Sequence, residues 1–377
     1  MSRSKLPDRT GLTILHVVPA GLFGGMQKLA VDLAAAQIEH GLDVQVLALY
    51  EHPQVADYIE QSGLKYSETP GTSFNLRGCW HFLSHSRTTG PDIVHIHVGL
   101  LWSNTLGLLT KNCPSVCHAH TYMRPKDGFK AKALRLVNQR LCDAFIGVSD
   151  SVSRSVREYL GGLTTPVHTI HNGIRLSGRP LIDRPSNPQR PRYGMATRFA
   201  VGKGVTEFVE VAHAIVRRQP EARFALAGEG PLERNVRARI QQLALEDRFE
   251  LPGFVSEMEG FWCSLDVAVF TAPREAFGLR ILEPMALGVP VAAYRTGAGS
   301  DELIEDGRTG LQASWGDVNG LAEQCVRLAT EAELRKAIVR AARTEVAARF
   351  SLYAMAEAVT NVYEETLARC GCASRVR

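Results

Sequence analysis

The chain has 377 residues, 45% of them hydrophobic and 22% charged. That is the composition of a globular protein long enough for two cores, with no need of a disulfide or a structural metal. Lys plus Arg is 43 against 39 Asp plus Glu, a net charge of +4, too small an excess for binding along a nucleic acid, so none is expected as a partner.

The charge is uneven, net +6 over residues 1–190 and −2 over the rest, which directs the search for an anionic partner to the N-terminal half. The first ten residues carry Asp8 among their basic residues and lead into a short apolar run; they are read as a lead-in to a strand rather than a signal peptide. The apolar stretches at 11–19 and 98–109 are interrupted by polar residues and fall short of the ~20 needed to span a membrane. The eight cysteines are scattered. Cys113 and Cys117, followed by His118 and His120, have ligand-like spacing, but no second pair accompanies them, so the cysteines are read as reduced and buried.

In chain order, 12–18 reads as a strand, 27–40 as a helix with Leu29, Leu33 and Ala36 on one face, and 43–49 as a strand after Gly41. Strands follow at 92–98, 115–120, 144–149 and 167–173. Helices fall between them, one reaching Leu109, one near 130–142 and one ending at Leu160. Residues 176–192, with four prolines and four arginines, read as a linker. A second series begins at 192–198, with strands at 223–230, 249–253, 265–272 and 289–294 and helices at 206–219, 232–244 and 277–287. Apolar strands alternating with helices imply parallel sheets covered on both faces. Two such sheets in one chain place the expected ligand cleft between them.

Three segments carry candidate chemistry. GLFGGM (21–26) is a glycine-rich turn ahead of a helix, suited to approach by a phosphate. It lacks the G-x-G-x-x-G spacing and the following acid of a nicotinamide dehydrogenase. RFAVGKG (198–204) puts Arg198 and Lys203 at a strand's carboxyl edge, a fork and a point charge for a diphosphate. PREAFGLRILEPMALGVPV (273–291) places Glu275 in a loop and Glu283 about two turns into the next helix, around a helix start able to hold an anion. Such an arrangement suits a sugar nucleotide. The two carboxylates also fit the acid and base of a hydrolase, or solvated charge.

These segments, with IHNGIR (170–175), GEGP (228–231), GFV (253–255) and DELIEDGRTGL (301–311), make the chain similar to the family 4 glycosyltransferases (glycosyl transferases group 1) of the GT-B fold, from about residue 12 to 369. The resemblance implies an α/β GT-B architecture of two doubly wound Rossmann-like domains with an interdomain donor cleft. An acceptor domain of residues 1–178 would be completed by a C-terminal crossover helix within 350–377, and residues 179–349 would form the donor domain. It implies retaining transfer from a nucleoside diphosphate sugar to an acceptor hydroxyl, in polysaccharide, lipopolysaccharide or glycolipid assembly, with no cofactor and no metal. The alternatives are a GT-B epimerase or phosphorylase, or a non-catalytic nucleotide-sugar-binding protein. It assigns catalysis to His120, Arg198, Lys203 and Glu275, and donor binding to Gly24, Gly25, Gly228, Glu229, Ala276, Phe277, Gly278, Leu279 and Glu283. His118 shares the parity of His120 along their strand, and His120 is chosen as nearer its carboxyl end. His95 and His97 are read as structural or as lining an acceptor pocket. The chain departs from the family pattern at His171, where a proline is common, and at Pro284, where an alanine is common.

Residues 124–140 carry net +5, with Phe129, Leu134, Leu136 and Val137 interspersed. The segment is read either as a membrane-surface helix facing anionic lipid or as a core helix with a solvated basic face. The expected partners are a nucleotide-sugar donor and a glycan or lipid-linked acceptor. The expected location is the cytoplasm, with the anionic inner face of the cytoplasmic membrane as a peripheral site.

Overall fold

The computed structural model describes residues 11–19, 24–70, 76–97, 113–123, 142–161, 164–176 and 189–372. The helix expected before Leu109, that near 130–142, the basic segment 124–140 and most of the linker lie outside them. The chain divides into two compact units, residues 1–175 with 352–377, and residues 176–351.

Among the described residues, unit 1 is built on seven parallel strands: β1 (Thr13–Pro19), β2 (Asp43–Leu49), β3 (Lys65–Glu68), β4 (Ile93–Ile96), β5 (Ser115–Ala119), β6 (Ala144–Gly147) and β7 (Val167–Thr169), in the order β3-β2-β1-β4-β5-β6-β7. The helices α1 (Gly25–Glu39), α2 (Pro53–Gln61), α3 (Leu76–Thr89) and α4 (Asp150–Leu160) connect them. Alternation along the strands separates two faces. Leu15, Val17, Val94 and Ile96 cluster with Phe82 of α3 on one face. His16, in register with His95, looks to the other, where it meets Gln37 of α1. The last helix of the chain, numbered α11 here in anticipation of the second unit's six (Leu352–Arg369), belongs to unit 1. The Leu352 N–H donates to the Ile174 carbonyl at 2.9 Å, and the Gly173 N–H to the Met355 sulfur at 3.2 Å. The chain thus passes from one unit to the other twice.

The described residues of unit 2 form six parallel strands: β8 (Arg192–Ala196), β9 (Arg223–Ala227), β10 (Phe249–Glu250), β11 (Val267–Phe270), β12 (Val291–Arg295) and β13 (Leu311–Ser314), in the order β10-β9-β8-β11-β12-β13. Its helices are α5 (Val205–Val216), α6 (Glu233–Gln242), α7 (Met258–Cys263), α8 (Leu279–Leu287), α9 (Val318–Thr330) and α10 (Ala332–Arg349). Tyr193, Phe208, Phe224, Leu226, Val267 and Val269 centre its core. Both sheets are parallel and doubly wound, as the strand–helix alternation implies. Among the described residues no helix is long and apolar enough to cross a membrane, and no described cysteine is in a disulfide.

Candidate functional site

In unit 2 the chain leaves β8 toward β9 and β10 on one side, then crosses to β11 on the other. The loops after β8 and β11 therefore part at the carboxyl edge, the place where open α/β sheets bind ligands. Lys203 stands in the first loop and Glu275 in the second. The Lys203 Nζ donates to the Glu275 Oε1 at 2.7 Å, with both side chains about two-thirds buried. The loops are tied again by the Thr271 hydroxyl, which donates to the Gly204 carbonyl at 2.6 Å. A Cβ at Gly204, where φ is +73°, would collide with the Thr271 backbone. Arg198 lies exposed in the same loop, and its side chain makes no hydrogen bond or ion pair with the described residues.

Glu283 departs from expectation in its depth along the helix. Helix α8 starts at Leu279, so Glu283 is little more than one turn in, not two, because Gly278 holds φ +100° and delays the helix start. Its carboxylate accepts the Trp262 indole N–H at 2.8 Å. Trp262 is fully buried on α7, so the acid has a fixed donor beneath it. Pro284 does not break α8, which runs on to Leu287, and its carbonyl accepts from the Val289 N–H at 2.9 Å. Pro284 lies inside the helix, so the N–H that would meet the Arg280 carbonyl is missing and α8 runs on with that one intrahelical bond lost.

The remaining donor candidates divide by what their side chains do. Phe277 is a core residue, 3% exposed and edge-on to Phe350, so only its backbone can serve a ligand. Ala276 and Leu279 are half-buried on either side of Gly278. The Glu229 carboxylate accepts the Phe254 N–H at 3.1 Å and its carbonyl the Phe199 N–H at 2.8 Å, bracing the loops after β8, β9 and β10. Gly228 holds φ +131°, and a Cβ there would collide with the Thr197 carbonyl. Gly228→Ala is accordingly expected to destabilise unit 2 by on the order of 2 kcal/mol or more; denaturant unfolding of the variant checks this. Gly24 and Gly25 lie in unit 1, at the N-cap and first residue of α1. A hollow of about 380 Å³ lined by Arg190, Arg192, Arg223 and Arg248 together with the acids Asp247 and Glu250 lies at the opposite edge of the unit 2 sheet, where β8, β9 and β10 begin.

In unit 1 His120 does not stand alone. His16, His95, His97, His118 and His120, five of the chain's twelve histidines, come from β1, β4 and β5 and the residues just beyond β4 and β5. They share one face of the sheet, and neighbouring rings lie 4.1 to 5.4 Å apart by centroid. His120 is the partly exposed member. One hydrogen-bonded chain runs through them. The His97 Nδ1 pairs with the His120 Nε2 at 3.0 Å, and the His97 Nε2 with the His16 Nδ1 at 2.9 Å. The His16 Nε2 reaches the Gln37 Oε1 at 2.8 Å, and the Gln37 amide donates to the Tyr363 hydroxyl at 3.2 Å. Tyr363 meets the His95 Nδ1, and the His95 Nε2 the His118 Nδ1 at 3.2 Å.

Gln37 sets the direction of this chain. Its carbonyl oxygen can only accept, so His16 carries its proton on Nε2, and the tautomer of each ring then follows from its neighbour. The last nitrogen, the His118 Nε2, is buried with no partner. Desolvation lowers His16 to about 4 and His120 to about 3. It holds His95, His97 and His118 well below the usual value, reinforced by the neighbouring imidazoles. All five rings are neutral at neutral pH. His95 and His97, read from sequence as structural or lining a pocket, are links of this network. His16 and Tyr363 carried no signal by themselves. The clue available was the doubled H-x-H at 95–97 and 118–120, whose period of two puts all four rings on one face once β4 and β5 are neighbours.

Residues 23–177 match the family model described as Glycosyltransferase Family 4, and residues 190–331 that described as Glycosyl transferases group 1. The alpha-D-kanosaminyltransferase of Streptomyces kanamyceticus is 32% identical over 186 residues, 47% of this chain and 48% of that protein. The N-acetyl-alpha-D-glucosaminyl L-malate synthase of Bacillus anthracis is 27% identical over 232 residues, 58% of this chain and 60% of that protein. The chain thus matches about half to three-fifths of the length of these two relatives. Anabaena HepE, solved in complex with UDP and glucose, superposes with a TM-score of 0.79 at 18% identity over 94% of this chain and all of that one. That likeness shows the fold.

Proposed function

Because the chain belongs to the group 1, family 4 glycosyltransferases and has their GT-B fold, we propose that it transfers a sugar from a nucleoside diphosphate sugar to an acceptor hydroxyl, with retention and without a metal ion. The observation that carries this reading is the Lys203–Glu275 pair at the strand crossover of unit 2, with Arg198 uncommitted in the same loop as Lys203. On donor binding Lys203 exchanges Glu275 for the diphosphate, which Arg198 also meets. Glu275 is released to the hydroxyls of the sugar, and Glu283, steadied by Trp262, takes the ribose. The bond from the anomeric carbon to the diphosphate breaks as the acceptor oxygen attacks the same face. The acceptor's proton passes to a leaving phosphate oxygen, and the two cations stabilise the departing charge. His120 serves the reaction rather than the holding of the nucleoside diphosphate.

A thermal-shift screen of nucleotide sugars, followed by product analysis with and without acceptor, tests this. Stabilisation by a donor and acceptor-dependent release of the nucleoside diphosphate with retained anomeric configuration are expected. Isomerised donor, or binding without turnover, would overturn it. Turnover is expected to persist in excess chelator, because Arg198 and Lys203 supply the positive charge otherwise brought by a divalent ion; loss in chelator with recovery on adding magnesium or manganese counts against this.

The setting we favour is assembly of a polysaccharide, lipopolysaccharide or glycolipid in the cytoplasm, against the anionic inner face of the membrane. The support is the net +5 of residues 124–140. Changing Lys130, Lys132 and Arg135 together to Ser is expected to weaken co-sedimentation with anionic vesicles and leave donor hydrolysis unaltered. Equal co-sedimentation would remove the membrane from the proposal.

A further inference from the structure

Two groups of three in the unit 1 cluster bring one ring nitrogen from each histidine within 4.8 Å of one another: His16 with His95 and His97, and His97 with His118 and His120. They differ in what their nitrogens already do. In the first group both nitrogens of His16 and of His95 are engaged, with His97 and Gln37 for one ring and with Tyr363 and His118 for the other. In the second group the His118 Nε2 is buried and unpartnered, and His120 keeps an opening to solvent.

We propose that His97, His118 and His120 form a binding site for one divalent cation of the zinc type, held by three imidazoles with the fourth position open toward solvent. A zinc–nitrogen bond is about 2.0–2.1 Å, so three nitrogens this close need only small ring movements to close on one ion. One ligand ring is already braced: the His97 Nε2–H donates to the His16 Nδ1, the outer-shell pairing that metal-bound histidines ordinarily show. The His118 Nδ1 accepts from the His95 Nε2, so the His118 Nε2 carries that ring's proton and gives it up when the ion binds. A ligand set of three imidazoles without a carboxylate favours zinc and its neighbours over magnesium or calcium. Bound there, the ion removes the ring of His120 from the proposed transfer, which makes zinc an inhibitor of that reaction and not a cofactor for it. The site itself stands apart from the functional reading, and its test reads binding alone.

The full chain, stripped with chelator and then freed of it, is titrated with zinc by calorimetry and with cobalt by visible absorption. One zinc per chain and the intense visible bands of four-coordinate cobalt are expected. His118→Ala and His120→Gln should each weaken zinc at least tenfold. His85→Ala is the control, because His81 and His85 stack on α3 and offer a competing pair; it should leave zinc binding unchanged. Replacement of the partly exposed His120 keeps the test informative if His118→Ala fails to fold, with circular dichroism as the check. Absence of zinc binding and of cobalt bands in the unaltered protein would overturn the proposal. So would undiminished affinity in folded His120→Gln, or loss of binding in His85→Ala.

Discussion

Glu275→Gln is expected to lower turnover by about 10- to 100-fold while leaving the affinity for free nucleoside diphosphate unchanged or a few-fold tighter. A charged acceptor on a hydroxyl contributes about 1.5–3 kcal/mol, which sets the loss. The tightening follows from the geometry. Lys203 is held by Glu275 at 2.7 Å, so a diphosphate must compete with that carboxylate for the cation, and the amide competes less well. Glu283→Gln is expected to act differently, weakening free nucleoside diphosphate and full donor by similar factors, about tenfold or more, because both carry the ribose. Glutamine can still accept the Trp262 indole N–H, so the fold of α7 against α8 is kept. Alanine would leave that buried donor unpaired at a cost of about 1–3 kcal/mol. Calorimetry with the nucleoside diphosphate beside initial rates with the donor separates the two variants. If Glu275→Gln weakens the bare diphosphate as much as Glu283→Gln does, the division of roles is wrong. If both turn over like the parent, the crossover of unit 2 is not the donor site.

The second large effect is acid sensitivity of the metal-free protein. The five clustered histidines are neutral in the folded chain because burial lowers each one, His16 to about 4 and His120 to about 3. Unfolded, each would titrate near 6.5. Below that value the unfolded chain binds protons that the folded chain refuses, so stability falls as pH falls and is fully present above about 6.5. Each imidazole contributes a slope of up to about 1.4 kcal/mol per pH unit, and for His16 alone the loss reaches roughly 3 kcal/mol by pH 4. Several such groups acting together are enough to unfold a domain of ordinary stability. Denaturant unfolding in chelator at pH 7.0, 6.0 and 5.0, above the range where most carboxylates titrate, should show a midpoint that drops steadily below 6.5. A flat profile across that window would mean that the rings are charged or solvated in the folded protein.

The sequence by itself determined the class of fold and the two carboxylates. Continuous apolar strands such as 92–98 and 265–272 are legible because a parallel sheet buries both faces of a strand, and the helices between them show the 3.6-residue repeat. Glu275, Glu283, Arg198 and Lys203 were legible because each sits in a short segment whose chemistry is local. Other elements were not read from the sequence: α2, β3 and α3 between residues 50 and 91, α7 between 253 and 265, and β13, α9 and α10 between 295 and 349. Several are short or amphipathic, and β3 is only half-buried, so their polar residues mask the period.

What only the tertiary structure decided are the pairings across long separations. Lys203 meets Glu275 across 72 positions, and Gln37 meets Tyr363 across 326. Trp262 is brought under Glu283 by the packing of α7 on α8. Strand order in a parallel sheet is set by how each crossover returns, which no local pattern records. The histidines at 95, 97, 118 and 120 show a period of two along their strands, but nothing in the sequence places β4 between β1 and β5. That neighbourhood, together with a helix returning from the end of the chain, turns five separate rings into one network in which the His118 Nε2 is left buried and unpartnered.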